Sequence, residues 1–157
     1  MVTLYDLGIS ISFIVGNSKI SVKNAAESEK DYDSNELTTI LFREYENVSL
    51  EFTSMSDEDR IYFDGIDLLP AELCEIDDAG DLYLNPQKDE MVYPLFEYSS
   101  EYYAMRVGKY ELKIYHNGII YYQWFTVLPK NINGAEWEIM QQELEIEMQG
   151  LSTDIIR

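Results

Sequence analysis

The β character of this chain is most evident in residues 108–129, which read Gly108-Lys-Tyr-Glu-Leu-Lys-Ile-Tyr-His-Asn-Gly-Ile-Ile-Tyr-Tyr-Gln-Trp-Phe-Thr-Val-Leu-Pro129. Two β runs flank Asn117-Gly118. In the first run Tyr110, Leu112 and Ile114 share one face, and in the second Ile119, Tyr121, Gln123 and Phe125 alternate against Ile120, Tyr122, Trp124 and Thr126. Both central residues of a type I′ turn need a positive φ, and Asn-Gly adopts it at low cost. The stretch therefore predicts a β-hairpin.

Upstream of this hairpin, short apolar runs separated by polar turns predict further strands. A first hairpin is expected within Leu7–Val22, turning at Gly16-Asn17. Pro94 predicts an edge strand or an ordered loop in the segment 92–103, because proline cannot donate a ladder hydrogen bond. We expect a mainly β domain over residues 1–130. Its architecture is expected to be a β-sandwich, since the last hairpin resembles the closing strands of immunoglobulin-like domains, although such hairpins close other β folds too.

After Pro129 the pattern changes from a period of two to spacings of three and four. Asn133 and Glu136 form a capping-box pattern at the start of this segment. The apolar positions that follow are Trp137, Met140, Leu144, Met148 and Leu151. The sequence predicts a C-terminal amphipathic helix within residues 131–157, leading into a further domain downstream.

The charge of the chain limits its partners. Thirty acidic residues against eleven basic ones give a net charge of −19, and such a polyanion repels phosphate backbones. Hydrophobic residues make up 46% of the chain, which supplies enough apolar surface for a folded core. The sequence shows neither a signal-peptide pattern nor an apolar run long enough to span a membrane. We expect a cytoplasmic domain that binds neither membranes nor nucleic acid directly.

Residues suited to catalysis are few. His116 and Cys74 are the only histidine and cysteine, so the monomer lacks the four ligands of a structural zinc site. Glu111-Leu-Lys113 matches half of the metal-nuclease motif PD-(D/E)XK, but the chain contains no Pro-Asp dipeptide. The acidic run Glu75–Asp81 offers oxygen ligands for Ca²⁺ or Mg²⁺ but lacks the alternation and terminal glutamate of an EF-hand loop, which leaves adventitious divalent binding as the alternative to a solvated surface. Asp57-Glu-Asp59 is interpreted as solvated surface. The expectation is a domain with no catalytic residues, no metal and no cofactor.

A tyrosine-rich segment offers the candidate partner-binding residues. They are Tyr93, Phe96, Tyr98, Tyr102 and Tyr103. Tyrosine is enriched at protein interfaces because it combines apolar area with a polar tip. The alternative is that these rings pack over the edge of the β domain.

The run Trp124-Phe-Thr-Val-Leu-Pro-Lys-Asn-Ile132, followed by Met140, Leu144 and Gly150-Leu151, resembles a domain of unknown function in McrC-like and LlaJI-type restriction proteins. In those proteins the domain precedes a PD-(D/E)XK nuclease, and the strand Gly108-x-Tyr-x-Leu-x-Ile114 also fits it. The resemblance implies a non-catalytic N-terminal domain that docks on an McrB-like AAA+ nucleotide-hydrolysing partner in anti-phage defence. The alternatives are an acidic DNA mimic or another protein-interaction module, and an enzyme that uses Glu111 and Lys113 with a divalent metal.

Overall fold

The computed structural model describes residues 1–31, 37–63, 73–87, 92–97 and 106–130, together with Ile139. Its strands are β1 (Val2–Thr3), β2 (Ile9–Val15), β3 (Ser18–Ser21), β4 (Asn24–Ala25), β5 (Leu41–Arg43), β6 (Val48–Ser54), β7 (Arg60–Phe63), β8 (Glu75–Ile76), β9 (Leu82–Leu84), β10 (Tyr93–Phe96), β11 (Gly108–His116) and β12 (Ile119–Leu128). Two short 3₁₀ helices lie at Leu4–Leu7 and Glu29–Asp31. The expected C-terminal helix lies outside the described residues, apart from Ile139.

The described strands form three sheets. A four-stranded sheet has the order β10-β6-β2-β3, a six-stranded sheet has the order β5-β12-β11-β7-β9-β8, and β1 pairs with β4. Neighbouring strands are antiparallel except β5, which runs parallel to β12. The prediction of a mainly β chain is confirmed. In the described part of the chain, no helix is long and apolar enough to cross a membrane.

Both predicted hairpins are present. Strands β11 and β12 pair without interruption from Gly108 opposite Val127 to His116 opposite Ile119. Asn117 and Gly118 between them have φ angles of 50° and 81°, as the type I′ prediction requires. Strands β2 and β3 form the first hairpin.

Strand β10 lies at the edge of the four-stranded sheet, where it pairs with β6. Proline is tolerated at an edge because the side that lacks an N–H donor can face away from the ladder. The register shifts between Pro94 and Phe96, which marks an irregularity typical of such positions. The prediction of an edge strand in this segment is confirmed for Tyr93–Phe96.

The core joins the two larger sheets. Phe13 of β2 lies in the four-stranded sheet, and its ring contacts those of Phe42 and Phe125 in the six-stranded sheet at centroid distances of 5.1 and 5.6 Å. These rings meet edge to face, which is the favoured geometry for aromatic pairs. Buried residues of both sheets form one hydrophobic cluster around them. The opposite side of the six-stranded sheet is therefore left facing outward.

One polar side chain lies inside this core with its hydrogen bonds made. Gln123 is fully buried, its Nε2 donates to the carbonyl oxygen of Asn24 at 2.9 Å, and its Oε1 accepts from the Trp124 N–H at 2.7 Å. A buried amide is tolerated when its donors and acceptors are paired. This contact holds the β4 region against β12.

Candidate functional site

The outward side of the six-stranded sheet carries a group of aromatic rings. Residues of β11 alternate, so Tyr110, Leu112 and Ile114 are buried while the residues between them point to the other side. The strand register then places Tyr122, Lys113, Tyr62, Tyr83 and Glu75 next to one another across five neighbouring strands. We call the partly exposed rings of Tyr62, Tyr115, Tyr122 and Trp124 the aromatic face; Tyr83 lies on the same side of the sheet and is 7% exposed.

Contacts around Trp124 order one end of the aromatic face. The rings of Tyr122 and Trp124 stack at 6.1 Å with an interplanar angle of 17°. The Trp124 Nε1–H donates to Glu111 Oε2 at 3.0 Å, and Lys113 Nζ lies 3.9 Å from Glu111 Oε1. The Glu-x-Lys pair is thus engaged with the aromatic face. Among the described residues, no group of three or more His, Cys, Asp or Glu side chains is placed to hold a metal ion.

Arg60 and Glu75 order the other end. The Arg60 guanidinium lies 4.5 Å from the ring centroid of Tyr83, a cation–π arrangement. The Tyr83 hydroxyl donates to Glu75 Oε2 at 2.9 Å, and this bond raises the pKa of Tyr83 above its usual value. Burial raises the pKa of Tyr62 in the same direction. Both hydroxyls therefore remain protonated donors at neutral pH.

A pocket of about 380 Å³ opens on the aromatic face. Its lining residues are Tyr62, Phe63, Asp77, Asp81, Leu82, Lys113, Tyr115 and Ile120. Its volume falls within the range of about 300–1,000 Å³ that is usual for ligand pockets. We call it the Tyr62–Tyr115 pocket, and it combines aromatic and aliphatic walls with charged groups of both signs.

The acidic side of this pocket is built by the turn between β8 and β9. Asp77 Oδ1 accepts hydrogen bonds from the backbone N–H groups of Ala79 and Asp81 at 3.0 and 2.9 Å, and Asp77 Oδ2 accepts one from the Tyr62 hydroxyl at 3.1 Å. The bond from the Asp81 N–H is the main cause that holds the pKa of Asp77 below its usual value. Asp77 is therefore ionised at neutral pH and ties the turn to β7.

A second polar cluster links the two larger sheets. Asp59 is 1% exposed, its Oδ1 lies 2.8 Å from His116 Nδ1, and its Oδ2 accepts a hydrogen bond from the Ser54 hydroxyl. The interpretation of Asp57-Glu-Asp59 as solvated surface is wrong for Asp59. The Asp59 carboxylate is buried because it links the end of β6 to the end of β11 through Ser54 and His116.

The order of these three groups bears on their chemistry. In a Ser-His-Asp triad the imidazole lies between the nucleophile and the carboxylate and accepts the nucleophile's proton. Here Asp59 lies between Ser54 and His116, so the imidazole does not contact the hydroxyl. The cluster therefore acts as a structural link between the sheets.

Two of the five partner-binding residues expected from the sequence lie among the described residues. Tyr93 and Phe96 belong to the core, 7% and 5% exposed. The Tyr93 hydroxyl donates to the carbonyl oxygen of Asn85 at 2.8 Å, and the Phe96 ring packs against Phe42 at 6.3 Å. These two rings offer little surface to a partner. Tyr98, Tyr102 and Tyr103 lie outside the described residues, and their role stays a prediction.

Sequence reasoning missed Arg60, Tyr62, Asp77 and Tyr83 as members of a common surface. The alternation Ile61-Tyr62-Phe63 indicates that Tyr62 faces away from its two apolar neighbours. It does not indicate that β7 pairs with β11 on one side and with β9 on the other. The surface is formed by that pairing, which joins residues far apart in the chain.

Comparison with known proteins identifies no relative of this chain. No family model, no curated protein and no solved structure matches it. Functional assignment therefore depends on the geometry of the aromatic face and on the resemblance noted within residues 108–151.

Proposed function

We propose that this chain is a non-catalytic domain that binds a partner protein through the aromatic face. The observation that carries the proposal is the side-by-side placement of Tyr122, Lys113 and Tyr62 across three strands. Tyr83, the neighbour of Tyr62 in the sheet, is 7% exposed and supports these side chains without offering surface itself. Tyrosine, tryptophan and arginine dominate the energetically important positions of protein interfaces. A rigid sheet presents such rings at low entropic cost, because the backbone beneath them is already ordered.

The proposed lack of catalytic activity is supported by the contacts that the polar side chains make within the fold. Glu111 contacts Trp124 and Lys113, and Asp59 separates Ser54 from His116. In both places the carboxylate contributes to the fold through contacts with its neighbours. Neither arrangement, as described, activates a nucleophile or a water molecule.

The proposed partner is an McrB-like AAA+ nucleotide-hydrolysing protein, with the chain as the N-terminal part of an McrC-like restriction subunit in cytoplasmic anti-phage defence. The resemblance at Gly108–Ile114 and Trp124–Ile132 supports this assignment. The proposed architecture is a β-sandwich of immunoglobulin-like kind, supported by the contact of Phe13 with Phe125 across the two larger sheets.

Capture of the partner tests the assignment. The tagged chain is mixed with a purified McrB-like AAA+ protein, and the dissociation constant is measured by calorimetry. We expect Tyr115→Ala and Tyr122→Ala each to weaken binding by about tenfold or more, as interface hot spots do. Tyr5→Ala is the matched control, since Tyr5 is 87% exposed and lies outside the aromatic face.

Two results would contradict the proposal in different ways. Equal affinities for Tyr5→Ala, Tyr115→Ala and Tyr122→Ala would show that the aromatic face is not the interface. Failure to bind any AAA+ protein, with capture of DNA-binding proteins that added DNA displaces, would favour the acidic DNA mimic instead.

A further inference from the structure

We propose that the Tyr62–Tyr115 pocket receives an arginine side chain from a basic segment of the partner protein. This inference rests on the proposed use of the aromatic face as a binding surface, and it specifies the chemistry that the surface recognises. It follows from the walls of the pocket, from its charges, and from a contact of the same kind within the chain.

The walls suit a planar cation. Tyr62 and Tyr115 contribute aromatic rings, and Leu82 and Ile120 contribute aliphatic surface. A guanidinium group is flat and weakly hydrated, so it stacks on tyrosine rings with a smaller desolvation cost than an ammonium group has. The methylene stem of arginine contacts aliphatic surface at the same time. The pocket volume of about 380 Å³ accommodates such a side chain.

The charges also favour a cation. Asp77 and Asp81 line one side, and the lowered pKa of Asp77 keeps that carboxylate ionised. Lys113 is the basic group of the lining, and Glu111 lies 3.9 Å from it and offsets its charge. Asp77 already accepts hydrogen bonds from Ala79, Asp81 and Tyr62, so it contributes mainly its charge. The exposed carboxylate of Asp81 is the group that would pair with the guanidinium, as carboxylates do with arginine throughout proteins. The net charge of −19 attracts a basic partner over longer distances.

The chain already makes a contact of this kind on the same face. The Arg60 guanidinium lies over the ring of Tyr83, 4.5 Å from its centroid. The ring of Tyr62 is the next one along, 5.6 Å from that of Tyr83. An arginine from the partner would thus extend a row of guanidinium and tyrosine groups that Arg60 begins.

Blocked model peptides test the inference without the partner protein. The full chain is titrated with acetyl-Gly-Arg-Gly-amide and with the same peptide carrying citrulline, which has the shape of arginine but no charge. Ring signals of the tyrosines are followed by NMR. We expect the arginine peptide to shift the signals of Tyr62 and Tyr115 saturably, and the citrulline peptide to leave them unchanged.

Two matched variants separate a specific site from general attraction to an acidic protein. Asp81→Asn removes a charge from the pocket, and Glu58→Gln removes one from an exposed position outside it. We expect Asp81→Asn to weaken binding of the arginine peptide by about threefold to tenfold. Glu58→Gln should weaken that binding by less than about twofold, since distant exposed charges are screened. Lys113→Gln is expected to strengthen binding of the arginine peptide.

Three outcomes would overturn the inference: equal binding of the citrulline peptide, equal effects of Asp81→Asn and Glu58→Gln, or loss of binding in Lys113→Gln. The last would show that Lys113 supports binding of the peptide and does not oppose its positive charge. Because these titrations omit the partner, they are independent of the capture experiment. If the arginine peptide binds but no AAA+ protein is captured, the arginine site stands and the restriction assignment is rejected. If an AAA+ protein is captured but the arginine peptide does not bind, the restriction assignment stands and the arginine site is rejected.

Discussion

The two sides of the β11-β12 hairpin use the same strands for different purposes. On the inner side, Leu112, Ile114 and Phe125 are at most 1% exposed and pack into the core. On the outer side, Lys113, Tyr122 and Trp124 are only partly buried. The Tyr122 ring stacks on that of Trp124, and Lys113 lies beside Glu111. Adjacent residues of one strand therefore belong to the core or to the outward surface according to which side they face.

Tyrosine occurs on both sides, so its abundance does not identify an interface. Tyr110 and Tyr121 point inward and are 6% and 7% exposed. The hydroxyl of Tyr110 donates to the carbonyl oxygen of Arg106, and burial raises the pKa of Tyr110. Tyr115 and Tyr122 are half-buried on the outer side. The side of the sheet, rather than the residue type, decides what each ring does.

The largest expected difference between the two sides is in stability. Phe125→Ala should lower the free energy of unfolding by about 3–5 kcal/mol, because it removes a ring from the aromatic cluster and leaves a cavity. Thr126→Ala, the next residue on the outer side, should change it by less than about 1 kcal/mol. Urea denaturation of the two variants measures both values. Similar losses would mean that the outer side is as tightly packed as the inner side.

A smaller difference in unfolding free energy is expected between two neighbouring residues of the acidic segment Asp57-Glu-Asp59. Asp59→Ala should cost about 1–3 kcal/mol, because Ser54 and His116 lose a buried hydrogen-bond partner. Glu58→Ala is the control, since Glu58 is exposed and adjacent in sequence. Its effect should stay within about 0.5 kcal/mol. If both variants unfold at the wild-type urea concentration, Asp59 does not link the two larger sheets.

The smallest effect concerns the turn that borders the pocket. Because the pKa of Asp77 is lower in the folded chain, its stabilising contribution is complete above its unfolded pKa and is lost as the pH falls through the folded value. Asp77→Asn keeps an acceptor oxygen for the turn but removes this dependence. Unfolding free energies measured from neutral pH down past about pH 4, the usual range of aspartate, should therefore fall less steeply for Asp77→Asn than for the wild type.

Glu58→Gln provides the control for that pH series, because it removes one carboxylate from an exposed site away from the turn. Its stability should follow the wild-type curve. A parallel decline in wild type, Glu58→Gln and Asp77→Asn would show that the hydrogen bonds of Asp77 make no measurable contribution to acid stability.

Local signals accounted for the features that were predicted correctly. Asn117-Gly118 specifies its turn through its own backbone preferences, and Pro94 specifies an edge position through its missing N–H. The error at Asp59 arose where local and tertiary requirements diverge. Asp59 has the charge and neighbours of a surface residue, yet the meeting of two sheets encloses it. Tyr93 and Phe96 are buried, which agrees with the alternative that rings of the tyrosine-rich segment pack against the β domain, and partner binding by this segment stays a prediction.

The amino-acid sequence alone was sufficient for the β class, for both hairpins, and for the division of β11 and β12 into inward and outward residues. These features depend on side-chain period and turn chemistry over a few residues. The candidate site was decided only by the tertiary structure, which pairs β7 with β11 and β9 and so places Tyr62 beside Lys113 and Tyr83. Such pairing depends on the packing of the whole core, because apolar alternation is similar in every strand and does not specify which strands become neighbours.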